Sequence, residues 1–126
     1  NAMKDDLTVT ESLTSLAQLH PRPSDPEPIR PALERVGMGA RQDAFVRTLS
    51  QGQRRRAALA RLALEREPAI WILDEPYDAL DVDGVQAVNA LLHEHLQRGG
   101  SVLLTSHLSP GEAAPAMVEF DLDPFA

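Results

Sequence analysis

At Ala69-Ile70-Trp71-Ile72-Leu73 an apolar run passes without a break into Asp74 and Glu75, with Pro76 behind them. A short apolar run with no polar alternation predicts a strand covered on both faces, as in a parallel α/β sheet. Open sheets of that kind bind ligands beyond the carboxyl ends of their strands. Two carboxylates are thus delivered to the edge where chemistry is usually done. Taken alone, the stretch also fits a buried strand with a solvated acidic exit, so its neighbours decide.

Those neighbours alternate in type. Residues 7–20 read as a helix, because Thr8 and Glu11 have capping-box spacing and Val9, Leu13, Leu16, Ala17 and His20 share a face. Residues 21–31 are dense in proline, which forbids a continuous helix and favours a stiff extended connector. A short helix is predicted over 31–36, stopped by Gly37, and 38–48 reads as a polar, irregular approach. A further helix starts at Ser50, a favoured N-cap, and ends before Pro68. Its apolar stripe is Ala58, Leu59, Leu62 and Ala63. After the strand at 69–74, residues 82–98 read as a helix capped by Asp81, with Val85, Val88, Leu92 and Leu96 on its inner face and Gly99-Gly100 closing it. A second buried strand follows at 102–105, then Ser106-His107. Strand, helix, strand in this length predicts a right-handed crossover between parallel strands. Val118, Phe120 and Leu122 alternate with acids, as in a half-buried strand. No internal repeat is present.

Composition narrows the function classes. Hydrophobic residues make up 43% and charged residues 25%, the balance of a globular rather than a disordered chain. There is no cysteine, which excludes disulfides and thiolate metal sites. The longest apolar run falls far short of the ~20 residues that cross a bilayer. A net charge of −7 argues against non-specific nucleic-acid binding, although Arg54, Arg55 and Arg56 form a local basic cluster. That cluster reads either as a solvated helix face or as a phosphate contact. His93 and His95 are two apart on a helix, do not face each other, and are not a metal pair.

The segment Leu49-Ser50-Gln51-Gly52-Gln53 opens the Ser50 helix. A helix N-terminus carries about half a positive charge and free N–H groups, so it can hold a phosphate. Gly52 lets an anion approach the backbone, and Ser50 and Gln53 offer side-chain hydrogen bonds. An ordinary capped helix has the same features. The order LSQGQ, helix, AIWILDEP, ALD, buried strand, His107 resembles the second half of an ABC-type ATPase, the nucleotide-binding subunit of ATP-binding-cassette transporters. The resemblance covers nearly all the chain from Leu7 onward. It implies an α/β fold: the C-terminal part of a P-loop NTPase, with its helical signature subdomain and a partial, mainly parallel sheet. It implies that Ser50, Gln51, Gly52 and Gln53 are the signature loop that closes on nucleotide held by a second subunit; Gln51 stands where the family usually has Gly. Asp74 matches the aspartate that holds Mg²⁺ directly or through water. Glu75 matches the catalytic glutamate that polarises the attacking water. Asp81 falls in the D-loop, which touches the opposite subunit, and His107 matches the switch histidine on the γ-phosphate.

Within that family, LTVTESL, LSQGQRRRAALARLAL, the tryptophan of AIWILDEP and ALDVDGVQ resemble the haem-exporter ATPases of bacterial cytochrome c maturation. That resemblance implies ATP and Mg²⁺ as ligands of the full-length protein, a second ATPase subunit and transmembrane permease subunits as partners, and a peripheral place on the cytoplasmic face of the inner membrane. Residues 1–3 read as a tag remnant and start methionine, 4–66 as the helical signature subdomain, and 67–126 as the C-terminal half of the ATPase core. The phosphate-cradling pattern G-x-x-x-x-G-K-[ST] does not occur. The expectation is therefore a C-terminal portion that binds ATP poorly, does not hydrolyse it alone, and self-associates through an unpaired strand edge. Competing readings are the ATPase of another transporter, a nucleic-acid-linked ABC protein using Arg54–Arg56, and a non-catalytic interaction module.

Overall fold

The computed structural model describes residues 6–18, 29–65, 67–107 and 114–118. Helix α1 (Val9–Gln18) opens on a complete capping box. The Thr8 backbone N–H donates to Glu11 Oε1 at 3.0 Å, and the Glu11 N–H donates to Thr8 Oγ1 at 3.2 Å. Val9 and Leu13 are fully buried on its inner face; His20 and residues 21–28 lie outside the described residues. Helix α2 (Ile29–Arg35) begins two residues before the expected Pro31. Pro31 is tolerated there because the first-turn N–H groups of a helix have no intrahelical acceptor to lose. The helix ends as expected at Gly37, whose φ is +76°. Met38 N–H donates to Leu33 O at 2.8 Å and Gly37 N–H to Glu34 O at 3.1 Å, the paired bonds that terminate a helix on a left-handed residue.

Short 3₁₀ turns at Gly39–Arg41 and Val46–Thr48 lead to helix α3 (Gln51–Leu59), which tightens into a 3₁₀ segment over Ala60–Leu64. The tightening turns the inner face: Ala57, Leu59, Ala60 and Leu62 are buried, while Ala58 and Ala63 of the expected stripe are only partly covered. Helix α4 (Val82–Gln97) is capped by Asp81 as expected. Its buried face holds Val88, Asn89, Leu91, Leu92 and His95, and Leu96 stays 38% exposed.

Strands β1 (Ile70–Asp74) and β2 (Ser101–Thr105) pair in parallel, from Ile70 opposite Ser101 to Asp74 opposite Thr105. Trp71 and Leu73 join one core with α1, α2, α3 and α4. The expectation of a strand covered on both faces is corrected here. Ile70 and Ile72 are each 72% exposed and Leu103 is 64% exposed. Successive strand side chains point to opposite faces, and no described residue covers the second one. Of the strand expected at Val118, Phe120 and Leu122, only Val118 is described; it is 97% exposed and lies outside any strand.

Trp71 is the hinge between sheet and helices. Its ring stacks on His95 with centroids 3.6 Å apart and planes within 7°, and its indole N–H donates to Glu65 Oε2 at 3.1 Å. His95 Nε2 lies 2.7 Å from Ala69 O. A carbonyl only accepts, so Nε2 carries the proton. A Cβ at Gly100 would fall 2.2 Å from that nitrogen, which is why the chain needs glycine there.

Candidate functional site

The parallel register sets Asp74 beside Thr105 at the carboxyl end of the sheet. Thr105 Oγ1 donates to Asp74 Oδ1 at 2.6 Å and accepts the Glu75 N–H at 3.1 Å. That N–H is shared with Thr105 O, also at 3.1 Å. One hydroxyl therefore holds the first acid by its side chain and the second by its backbone. Glu75 has φ +49°, the left-handed region, which costs a non-glycine residue on the order of 1–3 kcal/mol and persists only where surroundings over-determine it. The turn aims the two carboxylates apart. Asp74 faces Thr105, whereas Glu75 faces His107: the His107 N–H donates to Oε2 at 3.2 Å and Nε2 lies 3.2 Å from Oε1. The imidazole itself is 93% exposed. Asp74, Glu75 and His107 are thus brought to one sheet edge.

The tip of α3 is built by a second capping box. Ser50 Oγ accepts the Gln53 N–H at 3.1 Å, and Gln53 Oε1 accepts the Ser50 N–H at 3.0 Å. Gly52 has a requirement that sequence reasoning missed: a Cβ there would lie 2.9 Å from Ala79 O. The helix tip therefore presses on the 77–81 turn, where Ala79 has φ +62°. Tyr77 anchors that turn from below, its hydroxyl donating to Asn89 Oδ1 at 2.5 Å on α4. Burial pushes its pKa up to about 12, so the phenol stays protonated and keeps donating.

Asp81 closes the turn. Its Oδ1 accepts the Gly84 N–H at 2.9 Å and an N–H of Arg56. The Gly84 N–H, then Arg56, hold the carboxyl below the usual aspartate range. A depressed folded pKa contributes stability above the unfolded value, about 4, and that contribution is lost as pH falls through the folded value. Asp81→Asn keeps a capping side chain but no charge. Urea unfolding should show wild type ahead of this variant at neutral pH, with the gap closing below pH ~4. A gap independent of pH would contradict the charged role.

The basic cluster is not a solvated face. Arg55 Nη2 donates to Asp74 O at 2.9 Å and to Glu75 O. Arg56 reaches Asp81 and, at 3.3 Å, Val36 O. Two of its arginines are committed to the chain's own acids and backbone. Thr105 is a site residue that sequence reasoning did not single out, although strand register locates it. Arg55 reads in the sequence only as part of the basic cluster, and nothing in local spacing assigns it to the backbone of the acid turn.

The donor set suits a hard cation. Asp74 and Glu75 supply carboxylate oxygens, and no cluster of three or more His, Cys, Asp or Glu that could hold a metal occurs among the described residues. Mg²⁺ is usually bound by one or two carboxylates completed by substrate phosphates and water, which this edge fits and a self-contained metal cage would not.

A capped helix tip is thus pressed on a turn that adjoins a divergent acid pair. The ABC transporter family profile matches residues 1–78, and the chain belongs to that family. Among curated proteins it is similar to the cytochrome c biogenesis ATP-binding export protein CcmA of Dechloromonas aromatica (strain RCB), 46% identical over 107 residues, covering 85% of this chain and 52% of the relative. CcmA of Pseudomonas putida (strain GB-1) is 50% identical over 105 residues, covering 83% and 49%. The chain spans about half the length of these relatives. Among solved structures it is similar to the ATP-binding subunit of an ABC transporter, with a TM-score of 0.73 at 26% identity over 84% of this chain and 45% of that one. An ABC transporter ATP-binding protein from Pyrococcus furiosus superposes with a TM-score of 0.70 at 26% identity, over 85% and 53%.

Proposed function

We propose that this chain supplies the signature helix and the hydrolytic acids of an ABC transporter ATPase subunit that serves haem export in cytochrome c biogenesis. The observation that carries the reading is the divergence of the acid pair, with Asp74 fixed by Thr105 and Glu75 turned toward His107. Asp74 is the residue to hold Mg²⁺, directly or through its water. Bound Mg²⁺ would neutralise charge on the phosphates. Glu75 orients water and takes its proton, and His107 donates to the terminal phosphate. Ser50, Gln51, Gly52 and Gln53 face nucleotide held by a second ATPase subunit, and Asp81 lies at the same contact. Permease subunits would place the assembly on the cytoplasmic face of the inner membrane. No helix among the described residues is long and apolar enough to cross a membrane. The commitment of Arg55 and Arg56 to internal partners leaves the nucleic-acid reading without its main support. The relatives' names, ATP-binding export proteins of cytochrome c biogenesis, favour an exporter of that process over another transporter.

The test is phosphate release by the complete subunit assembled with its membrane partners. Turnover should require magnesium and stop with a chelator, while the 126-residue chain alone releases none. Chelator-insensitive release, or hydrolysis by this chain alone, would contradict the reading.

A further inference from the structure

We infer that Arg55 is a positioning residue that ties the signature helix to the turn aiming the Glu75 carboxylate, so that the helix tip and the base of one subunit move as a unit. The inference rests on the function proposed above. Arg55 stands in the first turns of α3, close behind Gly52, and a single nitrogen, Nη2, donates to both Asp74 O and Glu75 O. These are the carbonyls of the last strand residue and of the left-handed residue beyond it. On its N–H side Glu75 is held by Thr105, through the hydroxyl and the carbonyl. Glu75 O also accepts the Asp78 N–H at 3.1 Å. The peptide units flanking Glu75 are therefore gripped by α3, by β2 and by the turn itself. A strained φ needs such over-determination.

The cost of the grip is visible in the arginine. Its Nε is buried and has no hydrogen-bond partner among the described residues. A buried unpaired donor is unfavourable, so a side chain present only to fill space would be better without it. The guanidinium is oriented to satisfy the two carbonyls at the expense of its own Nε. Arg56 does not share the task, because it faces Asp81 and Val36 O. The two adjacent arginines thus join α3 to two separate points, the acid turn and the cap of α4. Any displacement of the helix tip against nucleotide in a partner subunit would reach the Glu75 turn through Arg55.

Two measurements test this. In the complete assembled subunit, Arg55→Ala should lower kcat about tenfold or more while KM for ATP stays within about threefold, the pattern of lost transition-state geometry rather than lost binding. Arg55→Lys, which retains a cation on a shorter, non-planar head, should recover part of that loss. In the 126-residue chain, hydrogen exchange at the Glu75 amide should quicken about tenfold or more in Arg55→Ala, while the amides of Val88, Leu91 and Leu92 keep their protection. A wild-type kcat in Arg55→Ala overturns the inference. So does an exchange increase that is equal at Glu75 and in α4, which would signal general loosening. If Glu75→Gln, run alongside, hydrolyses ATP at the wild-type rate, the proposed function fails. The exchange result then still judges the Arg55 tie by itself.

Discussion

Replacing Trp71 with alanine should cost the fold about 3–5 kcal/mol, a large part of the ~5–15 kcal/mol that holds a domain together. The indole is 4% exposed, stacks on His95 and donates to Glu65. Truncation removes a large apolar surface, leaves His95 facing a void, and strands the Glu65 carboxylate. These losses fall at one point, where β1, α4 and the end of the α3 segment meet, so little can collapse to fill the gap. Thermal unfolding followed by circular dichroism should show a drop in Tm on the order of 10–20 °C. Trp71→Phe keeps a ring against His95 and forfeits only the outer ring and the N–H, so it should lose less than half as much. A loss under ~1 kcal/mol in Trp71→Ala would mean that the stack is not a keystone of the core.

Local chemistry was legible in the sequence wherever the interacting groups sit within one turn. Thr8 with Glu11 closes a capping box, Asp81 caps α4, and Gly37 ends α2, because each depends on a few adjacent residues. Ser50 was readable as a cap for the same reason. Faces were less legible. The stripe of α3 shifted because the helix tightens at Ala60, and helical periodicity assumes a constant pitch. On α4 the buried face takes in His95, whose ring stacks on Trp71 and bonds Ala69 O, and Leu96 lies at the margin of that face at 38% exposure. The open face of the sheet could not be foreseen, because Ile70, Ile72 and Leu103 look the same to periodicity whether covered or not.

The site follows the same division. That Asp74, Glu75 and His107 reach one edge is a consequence of strand order and direction, which the spacing carries. That Glu75 turns left-handed is not readable. Pro76 follows it, and a residue before proline is normally driven to extended backbone, yet φ is +49°. The conformation is imposed by partners distant in sequence, Thr105 on one side and Arg55 on the other. Gly52 is a related case: its position at a helix tip suggested anion approach, but the carbonyl of Ala79 also forbids a side chain there.

Glu75→Gln in the complete subunit bears most directly on whether this acid turn is the hydrolytic edge. Glutamine matches glutamate in shape and can still accept the His107 N–H, so the fold and the turn should survive. It cannot take a proton from water. A general base is worth roughly 10²–10⁴-fold, and kcat should fall by about that factor with ATP affinity retained. With hydrolysis stalled, paired subunits should accumulate in the presence of magnesium and ATP. The measurement is single-turnover phosphate release beside light scattering on the same sample. Loss of release together with an ATP-dependent dimer is the predicted result. Release within about threefold of wild type, with no dimer gained, would contradict the assignment of Glu75 as the base.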